Sequence, residues 1–100
     1  QQLCWGPLRL DVQAAEVCLN GQELILTGRE RVLLEWFLRH PGRLVTRSFL
    51  LDQLWSIDVD AGDETVKTHL NNLRRKLRNA GCADPIETVH GQGYRLLPEP

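Results

Sequence analysis

The sequence predicts an α+β domain in which a small antiparallel sheet comes first, three helices follow, and a β-hairpin ends the chain. Three patterns carry this prediction. Apolar and polar residues alternate before residue 26, apolar residues recur at helical spacing over residues 27–80, and alternation returns over residues 85–97. The length of 100 residues suits one domain, and neither a linker nor a repeat divides it.

The composition excludes several classes of protein. With 42% hydrophobic and 25% charged residues, the chain matches globular proteins rather than disordered ones. No apolar run approaches the roughly 20 residues of a membrane-spanning helix, and the first residues lack the segments of an export signal. Cys4, Cys18 and Cys82 stand at no metal-ligand or redox spacing, and we expect reduced thiols in a cytoplasmic protein.

The N-terminal part, residues 1–26, has the pattern of short strands separated by turns. Apolar and polar residues alternate over residues 8–12, which is the period of a half-buried strand. A second strand over residues 16–19 precedes Asn20-Gly21, a dipeptide that favours a tight hairpin turn. We therefore expect the return strand over residues 24–26.

The first helix is predicted to begin at Thr27 and to end before Pro41. Thr27 and Glu30 have the spacing of a capping box, in which the hydroxyl and the carboxylate satisfy free amides at a helix start. The apolar side expected to face the core consists of Val32, Leu33, Trp36 and Phe37.

A second helix is predicted over residues 47–55, with Thr46 as its cap. The residues expected to turn inward from it are Leu50, Leu51, Leu54 and Trp55. An acidic loop follows, and its Asp58 and Asp60 open like a calcium loop. The twelfth position of such a loop, counted with Asp58 as the first, is His69 instead of the Glu that closes the site, so we do not expect calcium.

The third helix, over about residues 64–79, carries a local basic surface. The formal net charge of the chain is −1, yet residues 65–79 contain five basic residues and no acidic residue. An apolar stripe of four residues would face the core: Val66, Leu70, Leu73 and Leu77. A solvated helix usually mixes Glu with Lys at i,i+4 spacing, so we expect unrelieved like-charge repulsion on this helix. Phosphate groups would supply the missing counter-charge.

The side of this helix opposite the stripe has residue types that suit the reading of DNA. Asn can pair with adenine and Arg with guanine in a major groove that is wide enough for a helix. This side carries Thr68, Asn71, Asn72, Arg75 and Asn79, with Lys67, Arg74 and Arg78 along one edge and His69 and Lys76 along the other. Because the core takes the apolar stripe, no apolar surface is left for a membrane.

The last two strands are predicted over residues 86–89 and 94–97. They are joined by His90-Gly91-Gln92-Gly93, whose two glycines permit a tight turn with positive φ. Such a hairpin, directly after a basic helix, can lie along DNA beside it. The alternative is a plain hairpin that closes the core with Tyr94 packed inside.

Two segments carry a resemblance to a known family. TVKTHLNNLRRKL, residues 65–77, and IETVHGQGYRL, residues 86–96, are similar to the OmpR/PhoB-type winged-helix effector domain, the DNA-binding output half of many bacterial two-component response regulators. The resemblance covers residues 8–97. It implies a winged helix-turn-helix with an N-terminal antiparallel sheet, a three-helix core and a C-terminal β-hairpin that is called the wing.

The resemblance also implies roles for individual residues. Base contacts would come from Lys67, Thr68, Asn71, Asn72 and Arg74. Contacts to the DNA backbone would come from Arg47, Trp55, Arg75 and Arg78. The wing contacts would be Thr88, His90, Gly91, Gly93 and Arg95. The acidic residues Asp58, Asp60 and Asp63 match a loop through which some relatives touch RNA polymerase. His90 stands where many members carry Arg, and Lys67 where many carry Asp, so we expect a different base preference.

By resemblance, the chain is the C-terminal fragment of a longer cytoplasmic regulator. Its expected partners are double-stranded DNA, RNA polymerase, an N-terminal receiver domain that controls it through phosphorylation, and a second copy in a tandem dimer on direct repeats. The alternative is a winged helix that binds RNA polymerase or another acidic protein partner. No Ser or Cys has a catalytic arrangement of His and carboxylate, so we expect no enzyme, cofactor or metal.

Overall fold

The computed structural model describes residues 1–55 and 62–100, with the backbone alone for Asp63. The predicted α+β architecture is confirmed. The elements are β1 (Gln2–Trp5), β2 (Leu8–Asp11), β3 (Glu16–Leu19), β4 (Gln22–Glu23), α1 (Gly28–Arg39), α2 (Arg47–Trp55), α3 (Asp63–Asn79), β5 (Ile86–Val89) and β6 (Gly93–Leu96). In the described residues, β1 to β4 form one antiparallel sheet in chain order, and β5 pairs with β6 in a second.

The N-terminal sheet differs from the prediction at its last strand. The expected return strand over residues 24–26 is wrong, because β4 consists of Gln22 and Glu23. Asn20 and Gly21 both have positive φ, so the turn takes only two residues and Leu19 pairs directly with Gln22. The apolar residues beyond the turn lead towards α1 instead.

The sheet is joined to the C-terminal end of the chain through Trp5. This side chain is buried in the core, and its indole Nε1 donates a hydrogen bond to the backbone oxygen of Leu97 at 2.8 Å. Side chains in β1 and in β2 alternate between the two faces of the sheet. Trp5 and Leu8 face inward from paired positions.

Helix α1 begins with the predicted capping box. The Thr27 hydroxyl accepts from the Glu30 amide at 3.2 Å, and the Glu30 carboxylate accepts from the Thr27 amide at 2.9 Å. The expectation for Val32 is wrong, since it is half-buried while Leu34 and Leu38 are buried. The buried side is wider than periodicity indicates because α1 contacts β1, β6 and α3.

Helices α2 and α3 differ in how deeply they enter the core. On α2 only Leu50 is fully buried, and the three other residues expected to face inward are half-buried against the core: Leu51, Leu54 and Trp55. On α3 the predicted stripe is confirmed, because Val66, Leu70, Leu73 and Leu77 all have zero exposed surface. None of the helices in the described residues has the length and apolar character of a bilayer crossing.

A β-bridge joins the wing to the segment directly before α2. Val45 and Tyr94 exchange two backbone hydrogen bonds, with N–O distances of 2.9 and 2.8 Å. Gly93 has φ of +137°, and a Cβ atom there would lie 2.0 Å from the backbone oxygen of Val45. This approach therefore requires glycine, and it sets the distance between the hairpin and α2.

Candidate nucleic-acid interface

The side of α3 that faces away from the core is open. Lys67, Thr68, Asn71 and Arg75 are exposed, and Asn72 is half-buried. No part of the chain within residues 1–55 and 62–100 buries the four exposed side chains. The polar side that the sequence assigned to DNA is thus available to a ligand.

Two of these residues are joined on the open side. Nη1 of Arg75 donates to Oδ1 of Asn72 at 2.9 Å. The bond orients the amide of Asn72, and the second lone pair of its oxygen can still accept another hydrogen bond. Asn72 therefore keeps both the donor and the acceptor that pairing with adenine requires.

Arg74 lies between α3 and the wing. Its Nε donates to Oδ2 of Asp84 at 2.9 Å, and its Nη1 donates to Oγ1 of Thr88 at 2.7 Å. The Arg74 side chain is only 18% exposed. The sequence assigned Arg74 to a base and Thr88 to the wing contacts separately, and the structure brings the two together.

Asp84, which precedes β5, was not recognised as a functional residue from the sequence. Its Oδ2 also lies 3.7 Å from Nη1 of Arg78, and its Oδ1 accepts from the Ile86 amide at 3.1 Å. The local signal was present, because an Asp before Pro commonly bonds a backbone amide two residues on. Its pairing with Arg74, ten residues earlier, depends on the tertiary fold.

Lys76 is engaged by the core, although the sequence placed it along one edge of α3. Its Nζ lies 2.7 Å from Oε1 of Glu30, whose side chain is 2% exposed. Burial acts to raise the pKa of Glu30, but the hydrogen bonds from Lys76 and Thr27 and the charge of Lys76 outweigh it, so the pKa lies below its ordinary value. The same oxygen also serves the capping box of α1.

The expectation of unrelieved repulsion between the basic residues of α3 is wrong, because three of them form ion pairs. Arg74 and Arg78 share Asp84, and Lys76 is paired with Glu30. The neutralising carboxylates come from other elements, so the composition of the helix alone did not reveal them. The basic residues that lie on the open side of α3 away from these pairs are Lys67 and Arg75.

The tip of the wing is exposed. Thr88 and His90 are exposed, and Gly91 has φ of +72° in the turn between β5 and β6. Arg95 pairs across the hairpin with Glu87, with 2.6 Å between Nε and Oε1. Both side chains of this pair remain substantially exposed, so the pair contributes little and can yield to another anion.

The two α2 residues that the sequence assigned to the DNA backbone lie at opposite ends of the helix. Nη1 of Arg47 is 3.6 Å from Oε1 of Glu64, a pair that is largely exposed on the Glu64 side. Trp55 is half-buried, and its ring lies 5.8 Å from the ring of His69 and 5.1 Å from Cζ of Arg29. The guanidinium of Arg29 over this ring keeps this end of α2 attractive to anions.

A cleft of about 320 Å³ separates the start of α2 from the wing. It is lined by Thr46, Arg47, Ser48, Thr88, Val89, Gly91, Gln92, Gly93 and Tyr94. The amides at a helix start and the guanidinium of Arg47 make such a cleft favourable for an anion. Sequence reasoning missed the cleft because the bridge between Val45 and Tyr94 creates it.

Three acidic residues were expected to touch RNA polymerase. Asp58, Asp60 and the side chain of Asp63 lie outside the described residues. The expected contact with RNA polymerase through this loop stays a prediction.

The sequence is similar to proteins that carry a regulatory role. A family model described as "Transcriptional regulatory protein, C terminal" matches residues 21–96. The sensory transduction protein RegX3 of Mycobacterium leprae (strain TN) is 40% identical over 93 residues, which are 91% of this chain and 46% of that protein. The chain therefore spans less than half the length of this curated relative.

Two solved structures have a similar fold over nearly the whole chain. The DNA-binding domain of the response regulator AdeR, in complex with an intercistronic region, has a TM-score of 0.83 and 28% identity, and covers 97% of this chain and 99% of that one. The Klebsiella pneumoniae RstA DNA-binding domain, in complex with the RstA box, has a TM-score of 0.84 and 29% identity, with 99% of both chains covered. The matched family model, the shared fold and the arrangement of α3 beside the wing lead to one conclusion: the chain belongs to the C-terminal winged-helix DNA-binding domains of OmpR/PhoB-type response regulators.

Proposed function

We propose that the chain binds double-stranded DNA sequence-specifically, with α3 in the major groove and the wing directed towards the minor groove. The observation that carries the proposal is the division of α3 into two sides. Its apolar stripe is wholly buried, while its polar side stays open beside an exposed wing. The similarity to the AdeR and RstA domains, which were solved in complex with an intercistronic region and the RstA box, supports the same function.

The residues proposed to face bases share the open side of α3. They are Lys67, Thr68, Asn71 and Asn72. An amide that offers both a donor and an acceptor discriminates adenine in the major groove, which supports the assignment of the two asparagines. Arg74 was also expected at a base, but the engagement of its Nε and Nη1 within the fold favours a role through the wing.

The proposed contacts to phosphate surround that surface. Those to the DNA backbone come from Arg47, Trp55, Arg75 and Arg78. The proposed wing contacts, directed towards the minor groove, come from Thr88, His90, Gly91, Gly93 and Arg95. Arg47 and three of the wing residues line the cleft at the start of α2, which supports a phosphate contact there. Neutralising phosphates releases condensed cations, so affinity should fall steeply with salt.

The finer regulatory assignments rest on the family resemblance. We infer a receiver domain whose phosphorylation controls the binding of DNA, a tandem dimer on direct repeats, and a contact of Asp58, Asp60 and Asp63 with RNA polymerase. The cytoplasm is the expected location. The inferred receiver domain is supported by relatives that are described as response regulators, because this chain covers only 35–40% of their length.

The direct experiment selects duplexes from a random pool and then measures affinity by fluorescence anisotropy at several salt concentrations. We expect a common sequence in direct repeats, with half-sites about one helical turn apart. Lys67→Ala should lower affinity for the selected duplex, whereas Arg39→Ala, which changes an exposed arginine on α1, should leave it unchanged. Recovery of no common sequence, together with equal affinity for all duplexes, would contradict the proposal and favour a protein partner.

A further inference from the structure

The connection between α3 and the wing consists of three side chains in series. Oδ2 of Asp84 accepts from Nε of Arg74 at 2.9 Å, and Nη1 of Arg74 donates to Oγ1 of Thr88 at 2.7 Å. The Asp84 and Arg74 side chains are 25% and 18% exposed, and Thr88 is exposed. The series thus begins in a partly buried ion pair and ends at a hydroxyl on the surface of the wing.

The donors and acceptors in this series follow from the chemistry of the Thr88 hydroxyl. A Thr hydroxyl has one proton to donate and two lone pairs, whereas a guanidinium only donates. Since Arg74 donates to Thr88, the hydroxyl proton of Thr88 points away from Arg74 and is available to another acceptor. On the exposed face of the wing that acceptor is water or, in a complex, an anionic oxygen.

We propose that Asp84 and Arg74 are positioning residues that orient the Thr88 hydroxyl as a donor to a DNA phosphate. This inference rests on the proposed function and assigns a role to Asp84, which has no contact expected from the sequence. Asp84 holds Arg74 through a charge-assisted hydrogen bond, so the guanidinium stays against the wing and does not reach a base. Arg74 therefore affects the affinity for DNA through Thr88, whereas the residues on the open side of α3 determine which bases are preferred.

The direction in which Asp84→Asn changes the affinity for DNA distinguishes positioning from a simple effect of charge. Asp84→Asn removes a negative charge beside the proposed DNA surface, so charge alone would tighten the binding of a polyanion. Positioning predicts the opposite, because the amide holds Arg74 less firmly and the hydroxyl of Thr88 loses its orientation. We expect affinity to fall about threefold or more.

The experiment is a double-mutant cycle on the 100-residue chain with the selected duplex. Asp84→Asn, Thr88→Val and the double variant are compared by anisotropy, and the thermal unfolding of each is followed by circular dichroism. We expect the double variant to bind about as weakly as Thr88→Val alone, because the two act in series. Thr88→Ser, which keeps the hydroxyl, should restore most of the affinity.

Matched variants complete the design. Glu87 lies on the same strand as Thr88 and pairs across the hairpin with Arg95. Glu87→Gln removes its carboxylate, and the effect should multiply with that of Thr88→Val. Arg74→Lys also disturbs the contact with Thr88, because it removes the guanidinium that donates to the hydroxyl. It should lower affinity without changing the order of preference among duplexes that differ by one base pair. It tests the inference even where Asp84→Asn unfolds the chain.

Two outcomes overturn the inference. One is tighter binding by Asp84→Asn with effects that multiply with Thr88→Val, and the other is a changed base preference in Arg74→Lys. Neither outcome is the failure of the proposed function, which would show as wild-type protein with no preferred duplex.

Discussion

Nζ of Lys76 on α3 lies 2.7 Å from Oε1 of Glu30 on α1, and it joins two helices across 46 positions of the chain. Glu30 is buried, and its carboxylate also accepts from the Thr27 amide. The pair therefore links the start of α1 to the helix that presents the proposed DNA surface. Lys76 is a structural residue of that helix.

The first prediction concerns the stability of this pair. Lys76→Ala leaves the buried carboxylate of Glu30 without its cation, and we expect the free energy of unfolding to fall by about 3 kcal/mol. Lys67→Ala, on the open side of the same helix, should change it by less than about 0.5 kcal/mol. Urea unfolding measures both, and equal values would mean that the pair does not stabilise the fold.

The second prediction concerns pH. Because the pKa of Glu30 is lowered in the folded chain, its stabilisation is present above the pKa of the unfolded state and is lost as pH falls through the folded pKa. The difference in unfolding free energy between wild type and Glu30→Gln should therefore shrink as pH falls below about 4.3, the ordinary glutamate value. Urea unfolding at a series of pH values between neutral and acid tests this, and a constant difference would contradict it.

The third prediction concerns the position of the wing. Gly93→Ala places a Cβ against the backbone oxygen of Val45, so we expect a loss of more than about 2 kcal/mol and weaker DNA binding. Gly91→Ala is the matched control, because its Cβ would meet nothing within 4 Å and only its positive φ is strained. It should cost about 1–2 kcal/mol. If both variants unfold at the same denaturant concentration, the approach at Val45 is not what requires glycine.

The fourth prediction concerns contacts to phosphate. Arg78→Ala removes a side chain that is 55% exposed next to the wing. It should weaken all duplexes alike and reduce the slope of log affinity against log salt by roughly one unit. Filter binding across salt concentrations measures the slope, and an unchanged slope would remove Arg78 from the proposed phosphate contacts.

The fifth prediction concerns base selectivity. Asn71→Ala should cost about 1–3 kcal/mol on the preferred duplex and relax the preference at one base-pair position. Arg78→Ala serves as the comparison, because it should keep the preference while it lowers affinity. Competition between duplexes that differ by one base pair distinguishes the two, and a uniform loss in Asn71→Ala would assign Asn71 to the backbone.

Several features of the chain were determined by local sequence. The capping box of Thr27 and Glu30, the buried stripe of α3 and the hairpin around Gly91 depend on spacings of a few residues, and each is confirmed. The polar side of α3 follows directly from the stripe, because helical periodicity places it opposite. The motifs in α3 and the wing were sufficient to indicate the family.

The tertiary structure decided which charged residues remain available. Whether Arg74, Lys76 and Arg78 face solvent or a carboxylate depends on Asp84 and Glu30, which approach α3 only after the helices and the wing have packed. The cleft beside α2 has the same origin, because the bridge between Val45 and Tyr94 joins segments that are far apart in the chain. Periodicity specifies the face that a side chain occupies, whereas its partner is set by the distance between elements that are far apart in the chain.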